Sequence, residues 1–524
     1  MSDEAVYTAL RSSTPLVTVE APAGCGKTHQ GAEYARELAV AATPGRPLIL
    51  THTHAACSVF AARTKGCGAR VDIRTIDSVI GQIASAYHAG LGLPADVASW
   101  VRREKNGHEE VGLRVARLVD RYPVIAGALA RRHPVVICDE HQDSSGDQHA
   151  IAMALHRQGA QLRIFADPMQ KIFRQKPPQG AAPPCDWDAL CAAAGESVAL
   201  GHPHRWENGC QELGAWTLAA RSALKAGNPI DLRTGVPVSV RLVFAENKAQ
   251  THDGFQIDSV ERRPIDAFQK QQASLLVLTR QPDVAASVRA AFGGAIALWE
   301  GHTRYALDRL VIEMTNAAPG DRAAFAAAFL TFMDGTGVGF SPTAFGKRLL
   351  AEVAEGCAKK TTGKPALIQS LARPILDDPS HRGVAATLQR VLDLKAACEP
   401  LLASVRTDCE REFREAIGLG RYPTPDDGLA DITHRRTHAR PIPPPRAVST
   451  IYKAKGLECG SVIVLPCDKK TFPDKHDARC LLYVALSRAT SQLMLVLSRQ
   501  NPSPLFILPP PLDSARPVGR VGGP

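Results

Sequence analysis

Aromatic residues are scarce. Phe, Tyr and Trp make up 5% of the 524 residues, so the hydrophobic cores are expected to be built largely from Ala, Val and Leu. No two cysteines are spaced C-x-x-C. The thirteen cysteines are scattered, the nearest pair being Cys185 and Cys191. That spacing matches no zinc-site pattern, and at this length it does not read as a disulfide scaffold, so reduced thiols are expected. No apolar run reaches the ~18 residues that span a bilayer. The N-terminus, MSDEAVYTALRSS, is acidic and mixed where a signal peptide is basic and then apolar. A cytoplasmic protein without a membrane partner is the expectation.

What is present is ordinary for a globular chain: 45% apolar and 22% charged residues. At roughly 150 residues per domain the length corresponds to three or four domains. Lys and Arg number 62 against 52 Asp and Glu, a net charge of +10. Such a balance suits a polyanionic partner and bears on association, not on fold.

Short apolar runs recur along the chain: LVTVE (16–20), LILT (48–51), VVICD (135–139), LRIFAD (162–167), LLVLT (275–279), VIVLPC (462–467) and LMLVL (493–497). Continuous apolar runs of this length are expected of strands covered on both faces. Ala-rich helical stretches between them predict α/β architecture with parallel sheets. Two regions depart from the alternation. Residues 79–132 read as a small helical insertion. Residues 311–444 read as a larger one, ending in the stiff proline-rich RPIPPPR (440–446). The expected units are therefore 1–78 with 133–228, and 229–310 with 445–500. The Pro/Gly-rich end, 501–524, is expected to be disordered. No internal repeat of fixed period is found.

The run LVTVE leads into APAGCGKT (21–28) and then a helical stretch. A Gly-rich turn between strand and helix presents backbone N–H groups to an anion at the positive end of the helix. Ala23, Gly24, Cys25, Gly26, Lys27, Thr28 and His29 are thus the candidate phosphate cradle. Lys27 is placed to reach the outer phosphates of a nucleotide, and the Thr28 hydroxyl to reach Mg²⁺. Farther on, VVICDEHQD (135–143) delivers two carboxylates at a strand end. This is the complementary half of a nucleotide-hydrolysis site, with Asp139 on the Mg²⁺ shell and Glu140 as the base for the attacking water.

In order along the chain, APAGCGKT is followed by LTHTHAA (50–56), TIDS (75–78), DEHQD (139–143), ADPMQKIF (166–173), HPHRW (202–206), STIYKAKGLE (449–458) and YVALSRA (483–489). This ordered series resembles the superfamily 1 helicases of the UvrD/Rep/PcrA type, and it spans nearly the whole chain. The resemblance implies two RecA-like P-loop motor domains with reduced, mainly helical accessory insertions, and a nucleotide site between the two motors. It implies ATP and Mg²⁺ as cofactors and DNA as partner, single-stranded or with single-stranded ends. By position, Gln170 corresponds to the residue that senses the γ-phosphate, and Arg205 and Arg488 to two arginines that approach it as arginine fingers do. Gly456 and Glu458 correspond to contacts with phosphate and ribose from the second motor. Thr51, His52, Thr75, Phe173, Thr450 and Tyr452 correspond to single-strand contacts, the aromatic ones by stacking on bases. His52 replaces the family's Phe and Tyr452 a His, while Gln175 stands where some members have Trp.

Three departures shape the expectation. The adenine-binding L-N-x-x-Q segment is absent before the P-loop, and His204 replaces the Tyr that stacks on adenine, so other nucleoside triphosphates stay open. The segment between Thr75 and Asp139 is short, which reduces the accessory apparatus. Only Ala489–Pro524 follows Arg488, too little for a fused nuclease. The leading expectation is an ATP-dependent helicase or single-strand translocase moving 3′ to 5′. The alternative is a DNA-stimulated NTPase that acts as sensor or switch for a separate nuclease in repair or anti-phage defence. A non-motor P-loop enzyme such as a kinase would leave the C-terminal motifs unexplained.

Overall fold

The computed structural model describes residues 3–41, 44–67, 70–104, 106–173, 177–249, 254–292, 296–299, 305–338, 340, 345–403, 405–407, 410–438 and 443–510. The chain divides into two compact units, Met1–Trp299 with Pro443–Pro524, and Glu300–Ile442. Among the described residues the first unit holds two six-stranded sheets, each parallel throughout and each RecA-like.

The first sheet comprises β1 (Leu16–Glu20), β2 (Leu48–Thr51), β3 (Asp72–Thr75), β4 (Val135–Cys138), β5 (Gln161–Ala166) and β6 (Glu196–Ala199), in the order β3-β2-β4-β5-β1-β6. The central strands β1, β2 and β4 are buried nearly end to end, which is why their sequences carry apolar residues at consecutive positions. β1 lies between β5 and β6, and β4 lies on the far side of β5. The turns after β1 and β4 therefore open at the same, carboxyl edge of the sheet, where ligands bind in doubly wound folds.

Residues 79–132 do not form a body of their own. The helices Ile76–Ala86, Val97–Arg103, Gly107–Arg121 and Pro123–Arg132 turn Ile80, Ile83, Val111, Val115 and Ala126 into one core with Leu50, Val136, Cys138 and Ile164 of the sheet. Their apolar stripes cover a sheet face that would otherwise meet water. The insertion expected there is thus a cover of the first sheet.

β7 (Ile230–Asp231) precedes the second sheet, which begins with β8 (Val240–Phe244), β9 (Leu275–Thr279) and β10 (Ala297–Leu298). The chain then enters the helical unit. It returns as β13 (Arg446–Thr450), β14 (Cys459–Cys467) and β15 (Ala489–Leu497), giving the order β10-β13-β9-β14-β15-β8. β13 and β14 lie on either side of β9, so strands from before and after the helical unit interleave in one sheet. Beyond them, β16 (Phe506–Ile507) pairs in parallel with β7, and Leu505 and Phe506 are buried. The expected disorder does not hold for 501–510. Its short apolar stretch, flanked by prolines, completes a core that β7 alone leaves open. Residues 511–524 lie outside the described residues.

The helical unit holds Tyr305–Asn316, Arg322–Thr336, Lys347–Ala354, Lys364–Asp377, His381–Ala396, Glu410–Leu419 and Pro425–His438, with a short antiparallel pair, β11 (Gly337–Val338) and β12 (Arg406–Thr407). The expected boundary after 310 falls inside the first of these helices, because Leu307, Leu310, Val311 and Met314 all point into the helical core. That core is rich in phenylalanine. Phe329 meets Phe340 edge-on at 5.9 Å, and Phe332 meets Phe413 at 5.8 Å. Six of the fifteen phenylalanines are buried here, so the Ala/Val/Leu core expected from composition describes the sheets better than this unit. Much of the proline-rich return (439–442) lies outside the described residues. No helix among the described residues is long and apolar enough to cross a membrane.

Candidate functional site

The turn after β1 places Gly24 and Gly26 at φ +76° and +86°, and the helix Lys27–Val40 starts directly from Gly26. Both glycines also lack room for a side chain. A Cβ on Gly24 would lie 2.7 Å from Arg205 Cβ and 2.8 Å from the Trp206 ring, and one on Gly26 would lie 3.0 Å from His204. The HRW segment (204–206) therefore packs against the phosphate-loop candidate, and the Arg205 N–H donates to Gly24 O at 3.0 Å. Cys25 is buried beneath the turn, and burial pushes its thiol up to about 12. Thr28 is half-buried and His29 exposed in the first helical turn.

From β4, Glu140 projects on a left-handed backbone (φ 53°) that non-glycine residues rarely adopt. Its carboxylate pairs with Lys27 and accepts from Gln142 Nε2 at 2.5 Å. Burial favours the neutral acid, but Lys27 and then Lys455 outweigh it and hold Glu140 well below the usual carboxylate range. Lys27 responds in kind: burial would lower it, and Glu140 and Asp139 raise it. Asp139 is buried and raised to about 6, first by burial and further by Glu140, against the pull of Lys27. Its Oδ1 is buried with no hydrogen-bond partner. An unpartnered, hard oxygen beside the Thr28 turn suits Mg²⁺, which takes one or two protein oxygens and keeps several waters.

Asp167, at the end of β5, is fully buried. It accepts from Gln170 Nε2 at 3.0 Å and from Arg221 Nη2 at 2.7 Å. Gln170 is thus tied back toward Asp167, and its carbonyl accepts from Lys455 Nζ at 2.8 Å.

Several groups reach this edge from the second sheet. The Tyr483 hydroxyl accepts from the Ala23 N–H at 2.8 Å, and Trp206 Nε1 donates to Ala489 O at 2.8 Å. Lys455 Nζ lies 2.5 Å from Asp143. Arg205 donates to Ser487 O at 2.7 Å and pairs with Glu458 at 2.7 Å, while its Nε is buried without a partner. Arg488 is buried on backbone carbonyls, Val484 O at 2.9 Å and Leu457 O at 3.1 Å. Burial, reinforced by Arg205, lowers it to about 10. A buried cation held by carbonyls is placed to answer to negative charge that arrives from outside. Gly456 sits at φ +85° with open space beside its α-carbon, and Glu458 is half exposed.

Of the residues expected to contact a nucleic acid, Phe173 and Tyr452 come together, their ring centroids 6.5 Å apart, with Lys455 Nζ 5.2 Å from the Phe173 ring. Phe173 is exposed. The three threonines are occupied locally. Thr51 Oγ1 donates to Thr53 O at 3.1 Å, Thr75 caps the helix Ile76–Ala86 by accepting from Ser78 N, and Thr450 lies near Lys453 N. His52 meets Ser144 Oγ at 3.2 Å, and burial lowers its pKa. Gln175 lies outside the described residues. Lys455, Asp143 and Tyr483 were not singled out from the sequence, although all three stand inside the motifs quoted. Each joins the two sheets across hundreds of residues, and local pattern carries no signal for that.

Residues 446–496 match the model of the UvrD-like helicase C-terminal domain. This segment includes β13, β14 and nearly all of β15, and carries Lys455, Gly456, Glu458, Tyr483 and Arg488. No curated protein matches the chain. Among solved structures, the Pif1 helicase from Candida albicans is similar at 14% identity and a TM-score of 0.36, over 94% of this chain and 93% of that one. The family match thus falls on the C-terminal strands of the second sheet, the segment that brings Lys455, Glu458, Tyr483 and Arg488 to the polar edge.

Proposed function

We propose that the chain hydrolyses a nucleoside triphosphate, ATP first among them, and couples each turnover to 3′–5′ movement along single-stranded DNA. The observation that carries this reading is the convergence of both sheets on one polar edge: the Lys27 turn, Asp139 and Glu140 from the first, and Arg488, Glu458 and Lys455 from the second.

Lys27 and the N–H groups of Ala23–His29 bind the phosphates. Thr28 and Asp139 hold Mg²⁺, which neutralises phosphate charge when bound. Glu140 is paired with Lys27 in the free protein. Once Lys27 turns to phosphate, the carboxylate is released to take the proton from water. Gln170 positions that water, and Arg205 and Arg488 meet charge that develops in the transition state. Gly456 and Glu458 contact the nucleotide from the second sheet, so the relative position of the sheets follows its state. Phe173 and Tyr452, close enough to act on neighbouring bases, grip the strand by stacking at about 1–3 kcal/mol per base.

The test is hydrolysis and unwinding on one purified sample, with ATP and GTP, with and without single- and double-stranded DNA. Mg²⁺-dependent hydrolysis stimulated by single strands, with displacement of a strand from a 3′-tailed duplex, is the expected result. Stimulated hydrolysis with neither translocation nor displacement would instead favour a switch acting on a separate nuclease. No hydrolysis at all would end the reading.

A further inference from the structure

Beside the carboxylate turn lies a second cluster that the nucleotide chemistry does not use. His141 Nε2 and His149 Nδ1 meet at 2.9 Å, and Cys185 Sγ lies within 4.8 Å of a ring nitrogen of each. The two imidazoles are tilted by 59° and not stacked, so they meet nitrogen to nitrogen. The three donors come from separate segments: the turn after β4, the helix Gly146–Arg157, and the loop before the helix Trp187–Ala193. No short sequence spacing could have shown them as a set.

The geometry points to a Zn²⁺ site formed by His141 Nε2, His149 Nδ1 and Cys185 Sγ, with the fourth position left to solvent. Two imidazoles and one thiolate form the borderline-soft donor set that zinc prefers, and three protein ligands with one open position is a known zinc arrangement. With Zn–N near 2.0–2.1 Å and Zn–S near 2.3 Å, tetrahedral donors stand roughly 3.3–3.6 Å apart. The nitrogens need to part by only about half an ångström, and the sulfur to approach by roughly 1.2 Å at most.

The surroundings are already arranged for this. The other nitrogen of His141 faces Ser144 Oγ at 3.2 Å, the outer-shell partner that fixes the tautomer and direction of a ligating histidine. The loop bearing Cys185 is held against the helix bearing His149, since Ala182 N–H donates to Asp147 Oδ1 at 3.0 Å. A Cβ on Gly146 would come within 1.9 Å of Ala182 O, so the loop lies directly on the helix start. Zinc would tie three segments together at the turn that carries Glu140. Through Ser144 it would also steady His52. This site stands apart from the Mg²⁺ ligands and does not depend on the motor reading.

The test is metal binding by the full purified chain, with Zn²⁺ followed by competition with a chromophoric chelator and Co²⁺ followed by absorbance. Wild type should bind zinc and show the thiolate-to-cobalt charge-transfer band. Cys185→Ser, on a partly exposed loop, should lose that band and bind zinc at least tenfold more weakly, with unchanged circular dichroism. His149→Ala should weaken zinc at least as far. Ser144→Ala should weaken it about 10–100-fold, as outer-shell changes do. His202→Ala, at the exposed cluster of His202, His204 and Glu207, should leave the cobalt band unchanged. Absence of a thiolate band in wild type, or equal zinc affinity in wild type and Cys185→Ser, would overturn the site.

Discussion

Lys455 and Asp143 stand 312 residues apart in the chain and 2.5 Å apart in the structure, on different sheets and both nearly buried. The pair docks the second sheet on the turn that carries Asp139 and Glu140. Lys455→Ala should lower stability by about 3 kcal/mol, because it strands a carboxylate away from water. The double variant with Asp143→Ala should lose less than the sum of the two single losses, by about 0.5–3 kcal/mol. Urea denaturation of the four proteins checks this, and strict additivity would mean that the pair does not form in solution.

Glu140→Gln should keep nucleotide affinity and stop turnover. The amide preserves the shape and the contact with Gln142 but cannot accept a proton. A fluorescent nucleotide titration beside a hydrolysis assay separates the two effects. Loss of binding would give Glu140 a structural role.

Affinity for single-stranded DNA should fall linearly in a log–log plot against salt, because phosphate contacts release counterions. Phe173→Ala and Tyr452→Ala should each weaken binding by about 1–3 kcal/mol while leaving the salt slope nearly unchanged, since stacking carries no charge. Fluorescence anisotropy over a salt series reads both quantities. Wild-type affinity in both variants would place the strand elsewhere.

His204 stands where the resembled family stacks a Tyr on adenine, and its ring contacts Asp3 at 2.5 Å and Glu207 at 2.8 Å. Burial works against its charge, but Asp3 and then Glu207 outweigh that and raise its pKa above 6.5. A raised histidine contributes stability that is fully present below its unfolded value and is lost as pH rises through the folded one. His204→Phe should therefore be less stable than wild type in mild acid, and the gap should close on going alkaline. Denaturant midpoints across that range check it, and a gap that widens with pH would contradict the assignment.

Much of this was legible in the sequence for a physical reason. Parallel strands buried on both faces leave apolar runs such as LVTVE and VVIC, and the turns after them carry motifs whose order survives reading. The glycines at 24 and 26 announced a tight turn, although not that Arg205, Trp206 and His204 press against it. What could not be read was tertiary. The Ala23–Tyr483 hydrogen bond, the Lys455–Asp143 pair and the His141–His149–Cys185 cluster are made by segments with no mutual periodicity. Helical stretches 79–132 looked like an insertion because amphipathic helices have the same pattern whether they cover a sheet or each other. The tail from 501 looked disordered because its proline content outweighed two buried residues, Leu505 and Phe506.

Arg488 measures the central claim, that both sheets serve one hydrolysis site. It is buried on the carbonyls of Val484 and Leu457 and on the Ser487 hydroxyl. Arg488→Ala should hold nucleotide affinity within about tenfold, because binding comes mainly from the Lys27 turn, while turnover drops by up to about 10³–10⁵, as for arginine fingers. Nucleotide binding and DNA-stimulated hydrolysis, measured on the same variant, give both numbers. A large fall in turnover with affinity kept is the predicted result; equal falls in both, or no change in either, would contradict it.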